Sequence, residues 1–125
     1  MGKNRDFIIF LEDIVDSAEL IEKYTKNYSK KKFSSDEQVR DAVIRRFEII
    51  GEAAKHLPPN IKKNYKDIDW KKIAGMRDIL IHEYFGVNID KVWKTIKEDI
   101  PDLRKKILKI VKDLEAKRLF SGING

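Results

Sequence analysis

One stretch of the chain gathers side chains that could do chemistry together: Arg77-Asp78-Ile79-Leu80-Ile81-His82-Glu83-Tyr84. It supplies a permanent cation, an imidazole that titrates near neutrality, two carboxylates and a phenol. That set suits a phosphodiester. Histidine can take or give a proton. Arginine can hold a phosphate and offset charge that develops as the bond breaks. Asp78 and His82 are four residues apart, so on a helix they share a face, and Asp78 could orient the imidazole or raise its pKa. At about 100° per residue, however, Arg77 and His82 point some 140° apart on a straight helix. Arginine's reach, a helix end near His82, or a second subunit would bring them together, and an isologous dimer is the simplest of these arrangements. On spacing alone, surface charges around an interior histidine are the commoner arrangement, because Arg-x-x-x-x-His often arises by chance.

The rest of the composition narrows the chemistry. The chain has 125 residues, 27 Lys+Arg against 21 Asp+Glu, a formal charge of +6 and no cysteine. Disulfide scaffolding, cysteine-based metal sites and thiol nucleophiles are excluded. Only His56 and His82 offer imidazoles, and no glycine-rich phosphate loop, nucleophile elbow or zincin helix occurs. No apolar run approaches the roughly 20 residues that span a bilayer, and Met1-Gly2-Lys3-Asn4 opens no signal peptide, so a soluble, cytoplasmic protein is expected. Charge is uneven. Residues 1–22 carry 2 basic and 6 acidic groups, residues 23–35 carry 5 basic and no acidic ones, and residues 102–118 carry 7 basic and 3 acidic. Such a balance permits polyanion binding without identifying the polyanion.

The elements that must position these groups are helical. Phe7, Leu11, Ile14, Ala18 and Ile21, extended by Tyr24 and Tyr28, mark an amphipathic helix over about residues 5–28. The lysine-rich stretch to Phe33 reads as a loop. Ser35 with Gln38, shadowed by Ser34 and Glu37, forms a capping-box pattern for a helix carrying Val39, Val43, Phe47, Ile50 and Ala54 and stopping before Pro58-Pro59. His56, in its last turn, suits the helix C-terminus. A helical turn at about 60–66 precedes Asp69, the expected N-cap of a third long helix that runs through Ile73, Leu80, Ile81 and Tyr84 to Gly86. Asn88 can cap the next. The last stripe, Val92, Ile96, Ile100, Leu103, Ile107, Ile110 and Leu114, crosses Pro101, where a kink or break is expected. The fold class is all-α: an up-and-down bundle of four long helices plus a short one, in a single domain over residues 1–125 with a frayed tail from 118.

Taken with its surroundings, the motif resembles the HepT-like branch of the HEPN superfamily, whose mark is Arg-x-x-x-x-His-x-Tyr. Here Arg77, His82 and Tyr84 occupy that pattern, with Asp78 as the polar residue after the arginine. The resemblance extends over about residues 5–110. It takes in Phe33 and the Asp36 region, Ile49-Ile50-Gly51-Glu52-Ala53, Asp69-Trp70, Ile73-Ala74-Gly75-Met76, Val92-Trp93 and Asp99-Ile100-Pro101.

The resemblance implies an all-helical homodimer acting as a metal-independent endoribonuclease, the toxin of a pair whose antitoxin is a MntA-like nucleotidyltransferase. His82 would be the acid/base group, Arg77 would stabilise the transition state, and Asp78 would orient one or both. Tyr84 would receive AMP from the antitoxin. No cofactor or metal is implied. Lys30, Lys31 and Lys32 are candidates for touching RNA or the antitoxin, or are simply solvated. A helical module that docks a nucleotidyltransferase without catalysis is the alternative. Trp70 and Trp93 read as core anchors, Gly51 as a point of close helix packing, and Glu52 as either a partner for the polar motif or a solvated carboxylate.

Overall fold

A computed structural model describes the backbone at residues 3–79 and 88–124, with side chains over 7–78 and 88–118. The described residues are helical with short connections and contain no strand. The chain is thus all-α, as expected. α1 (Lys3–Thr25), α3 (Glu37–Lys55) and α8 (Ile100–Asn124) are the long helices. α1 packs most extensively against α3 and α8. Leu11, Ile14, Ala18 and Ile21 of α1 meet Val43, Phe47, Ile50 and Ala54 of α3 and Ile107 and Ile110 of α8 in one core, all of them buried. Arg104 Nε reaches Glu22 Oε1 at 2.8 Å and ties α8 to α1. No helix among the described residues is long and apolar enough to cross a membrane.

Two expectations at the α1–α3 connection are corrected. The lysine-rich stretch is not a loop but a short helix, α2 (Lys30–Ser35). Ser29 caps it by accepting from Lys32 N–H at 3.1 Å, and buried Phe33 anchors it to the core. Nor does Ser35 cap the following helix, for its hydroxyl donates back to Lys32 O at 3.0 Å. Asp36 is the cap instead, with Oδ1 accepting from Val39 N–H at 3.1 Å. A carboxylate suits the positive end of a helix better than a hydroxyl does. α3 ends at His56, before Pro58-Pro59 as anticipated.

The third long helix is also corrected. Asp69 does cap it, accepting from Lys72 N–H at 3.0 Å, but the first piece, α5 (Trp70–Ala74), stops at Gly75. α6 (Met76–Ile79) restarts immediately. Before them, α4 (Pro59–Asn64) forms the expected short turn. Asn88 caps α7 (Ile89–Lys94), accepting from Lys91 N–H at 3.2 Å.

Pro101 neither breaks nor simply kinks the last helix. Thr95–Asp99 winds as a π-helix between α7 and α8, and Ile100 N–H bonds to Thr95 O, five residues back. Proline lacks the donor for an ordinary turn, and its ring would press on the carbonyl four residues earlier. The wider turn just ahead of it relieves both problems. Val92, Ile96, Ile100, Leu103, Ile107 and Ile110 all remain buried across the junction. Beyond them the backbone is helical through Asn124.

Candidate active site

Arg77 lies on α6, one residue past the corner that Gly75 makes. Gly75 N–H bonds to Lys71 O at 3.0 Å and its carbonyl accepts from Asp78 N–H at 2.9 Å, so the corner ends one helix and begins the next. Met76, 2% exposed, drives into the core directly after it. With Met76 inward, the following residue emerges at the surface: the Arg77 side chain is 42% exposed, and Asp78 is exposed.

The corner is seated on α3 at Gly51. A Cβ placed on Gly51 would lie 3.0 Å from both Arg77 Cβ and Arg77 N, and 3.1 Å from Ala74 O. The helices approach this closely only because residue 51 has no side chain. The next residue of α3, Glu52, forms an ion pair with Arg77, its Oε1 accepting from Arg77 Nη1. Two consecutive residues of α3 therefore fix both the backbone and the guanidinium of Arg77. The expectation of close packing at Gly51 is met, and of the two readings of Glu52 the structure supports the partner.

A shallow surface depression continues from Glu52 along α3 toward α1, lined by Phe10, Asp13, Arg45, Glu48 and His56 among others. His56 caps the C-terminus of α3, and its ring stacks on Phe10 with centroids 4.8 Å apart and planes 17° from parallel. That contact gives the exposed imidazole a packing role.

The remaining predicted residues fall in three groups. His82 and Tyr84 lie outside the described residues. Lys30 pairs with Asp90 Oδ1 of α7 at 2.7 Å, and Lys32 Nζ sits 4.4 Å from the centre of the Tyr28 ring. Lys31, between them, is exposed. Trp70 is buried and donates from Nε1 to Tyr65 O at 3.0 Å. Trp93 packs its ring 5.3 Å from that of Phe33, with Lys97 Nζ 4.7 Å from its centre.

Sequence reasoning missed the junction at Asp36. Its Oδ2 accepts from Tyr28 OH at 2.6 Å while Oδ1 caps α3. The Tyr28 hydroxyl and the Val39 N–H hold the Asp36 carboxyl below its usual range, and the same hydrogen bond, with burial and the carboxylate's charge, raises the Tyr28 phenol. An Asp just before a helical stripe was a readable cap signal, masked by the two serines ahead of it.

Residues 14–110 match the family described as "Ribonuclease HepT-like". Among similar proteins, "Probable ribonuclease HepT" of Thermococcus cleftensis is 48% identical over 82% of this chain and 94% of its own length. A "Putative RNase" of Methanocaldococcus jannaschii is 44% identical over 90% of this chain and 93% of its own. A "Gamma-glutamylcyclotransferase and putative RNase" of the same organism is 49% identical over 89% of this chain, which spans only 50% of that longer protein. No solved structure matches significantly. The matched span takes in Gly51, Glu52 and the whole Arg77–Tyr84 stretch, and with these relatives it makes the chain a member of the HepT-like ribonuclease family.

Proposed function

We propose that this member of the family is a metal-independent endoribonuclease toxin that cuts RNA by internal transesterification. The observation that carries the reading is Arg77, exposed at the surface yet held from beneath by Gly51 and Glu52, inside the family's Arg-x-x-x-x-His-x-Tyr pattern. In the proposed reaction the 2′-hydroxyl of one nucleotide attacks the adjacent phosphorus. His82 takes the hydroxyl proton as the O2′–P bond forms, and the P–O5′ bond breaks. The leaving oxygen takes a proton from water, giving a 2′,3′-cyclic phosphate and a 5′-hydroxyl, and His82 then returns its captured proton to solvent. Arg77 stabilises the added charge on the non-bridging oxygens. Asp78, one residue on, orients His82 or Arg77.

The regulation follows the same reading. A MntA-like nucleotidyltransferase antitoxin attaches AMP to Tyr84, adding bulk and negative charge where an RNA phosphate must sit. The active unit is a homodimer, which resolves the angular separation that a regular helix would put between Arg77 and His82. Of the three lysines proposed near RNA, Lys31 is the best placed, since Lys30 and Lys32 already have partners within the chain.

Arg77→Ala and His82→Ala test the mechanism: each abolishes RNA cleavage and growth arrest and leaves the helical signal intact. Cleavage that needs an added divalent metal, or that survives loss of His82, would overturn it. A chain that binds RNA or its nucleotidyltransferase and never cuts would instead be the non-catalytic docking module. Mass spectrometry after co-expression with the nucleotidyltransferase should find one AMP mass on the Tyr84 peptide.

A further inference from the structure

Glu52 has a geometry that a structural ion pair does not need. Its side chain is 51% exposed and that of Arg77 42%, so the pair is open to water on both sides. A pair so placed adds little to folding, because solvent screens it and two long side chains lose freedom to form it. Yet the chain brings these two groups together by removing every side-chain atom from residue 51, one position away. The engaged atom also matters. Glu52 takes Nη1 of Arg77, and the opposite Nε–Nη2 edge of the guanidinium is the edge that grips a phosphate side-on with two parallel hydrogen bonds.

We propose that Glu52 is a positioning residue that holds the Arg77 guanidinium with its Nε–Nη2 edge presented to the RNA phosphate. This rests on the ribonuclease reading of Arg77 and assigns a cost as well as a benefit. A carboxylate beside the phosphate site repels the substrate, so Glu52 weakens ground-state binding. In return, the arginine meets the transition state already oriented, without reorganising at the moment of reaction. Glu52 therefore acts on kcat and opposes tight binding, a combination that a purely structural role does not produce.

The test uses the full chain, a cleavable RNA oligonucleotide, and the same oligonucleotide with 2′-O-methyl groups that remove the nucleophile. Glu52→Gln should bind the methylated RNA more tightly than the wild type and yet cleave the normal RNA about ten- to hundredfold more slowly at saturation. Glu52→Asp, which keeps the charge on a shorter arm, should recover part of the rate. The thermal midpoint should not move. In ¹⁵N spectra the Arg77 Nε resonance, identified by its loss in Arg77→Lys, should shift in Glu52→Gln.

A Glu52→Gln variant with wild-type kcat, one that loses binding and rate together, or one with an unmoved Nε resonance overturns the positioning role. If the wild type cuts and Arg77→Ala does not, such a result removes only Glu52 from the account. If the wild type cuts no RNA, the ribonuclease reading itself falls, and this proposal with it.

Discussion

Asp36 does two jobs with one carboxylate, and its pH dependence is opposite in sign to that of its partner Tyr28. Its pKa lies below the usual 3.8, chiefly because Tyr28 donates to it. A carboxyl with a depressed folded pKa contributes stability that is present above the ordinary value and is lost as pH falls through the folded one. Tyr28 is raised above its usual 10.0; its contribution is present below that value and is lost as pH rises through the folded one. Tyr28→Phe should therefore let the Asp36 carboxyl return toward its ordinary range. Below the ordinary carboxyl range the thermal midpoint should then fall by less in the variant than in the wild type, because a smaller gap between the folded and unfolded pKa leaves less stability for acid to remove. Coincident acid limbs would mean that the Val39 N–H alone sets the Asp36 carboxyl. At this same scale the sequence already displayed the chemistry of Arg77, His82 and Tyr84, because those residue types announce themselves. It could not show that Glu52 pairs with Arg77. Twenty-five positions separate them, and only the packing of α6 on α3 brings them together.

Helical periodicity was legible wherever an apolar stripe ran long, as in α1, α3 and α8, since burial of a stripe demands that spacing. It failed where backbone hydrogen bonding decides the outcome. Gly75 ends α5 although apolar residues continue beyond it, and the π-turn before Pro101 leaves no trace in the spacing of buried positions. Each junction yields a prediction. Gly51→Ala gains up to about 1 kcal/mol of helix propensity. It also sets a methyl 3.0 Å from Arg77 N and 3.1 Å from Ala74 O, which are backbone atoms that cannot rotate away. Overpacking of this kind costs about 1–3 kcal/mol, so the variant should be less stable in denaturant and should lose RNA cleavage through displacement of Arg77. Pro101→Ala should behave differently. Proline inside an ordinary helix costs about 3 kcal/mol relative to alanine. Here it stands in the first turn of α8, directly after the π-turn, where its missing donor and fixed φ are tolerated. The variant should change stability by less than about 1 kcal/mol; a gain near 3 would mean that the π-turn does not accommodate the ring.

For the whole molecule, the charge of +6 predicts that RNA affinity falls steeply with salt, each phosphate contact contributing about −0.7 to the logarithmic slope for single strands. The charge does not say how one site is assembled, and the spacing of Arg77 and His82 does. The corner at Gly75 precedes Arg77, so it leaves the five-residue step from Arg77 to His82 unaltered, and on a regular helix that step separates them by about 140°. If the proposed dimer closes the gap by pairing Arg77 of one protomer with the other protomer's histidine, loss of the two residues can be complemented. Each homodimer of Arg77→Ala, and each of His82→Ala, has two dead sites. A mixed dimer has one site that carries both substitutions and one that carries neither. Random exchange of equal amounts gives half mixed dimers, so cleavage should recover to about a quarter of the wild-type rate. Refolding the two inactive variants together and assaying cleavage measures this directly. No recovery, in a mixture shown by mass to contain the mixed dimer, would place Arg77 and His82 of a single protomer on the same phosphate.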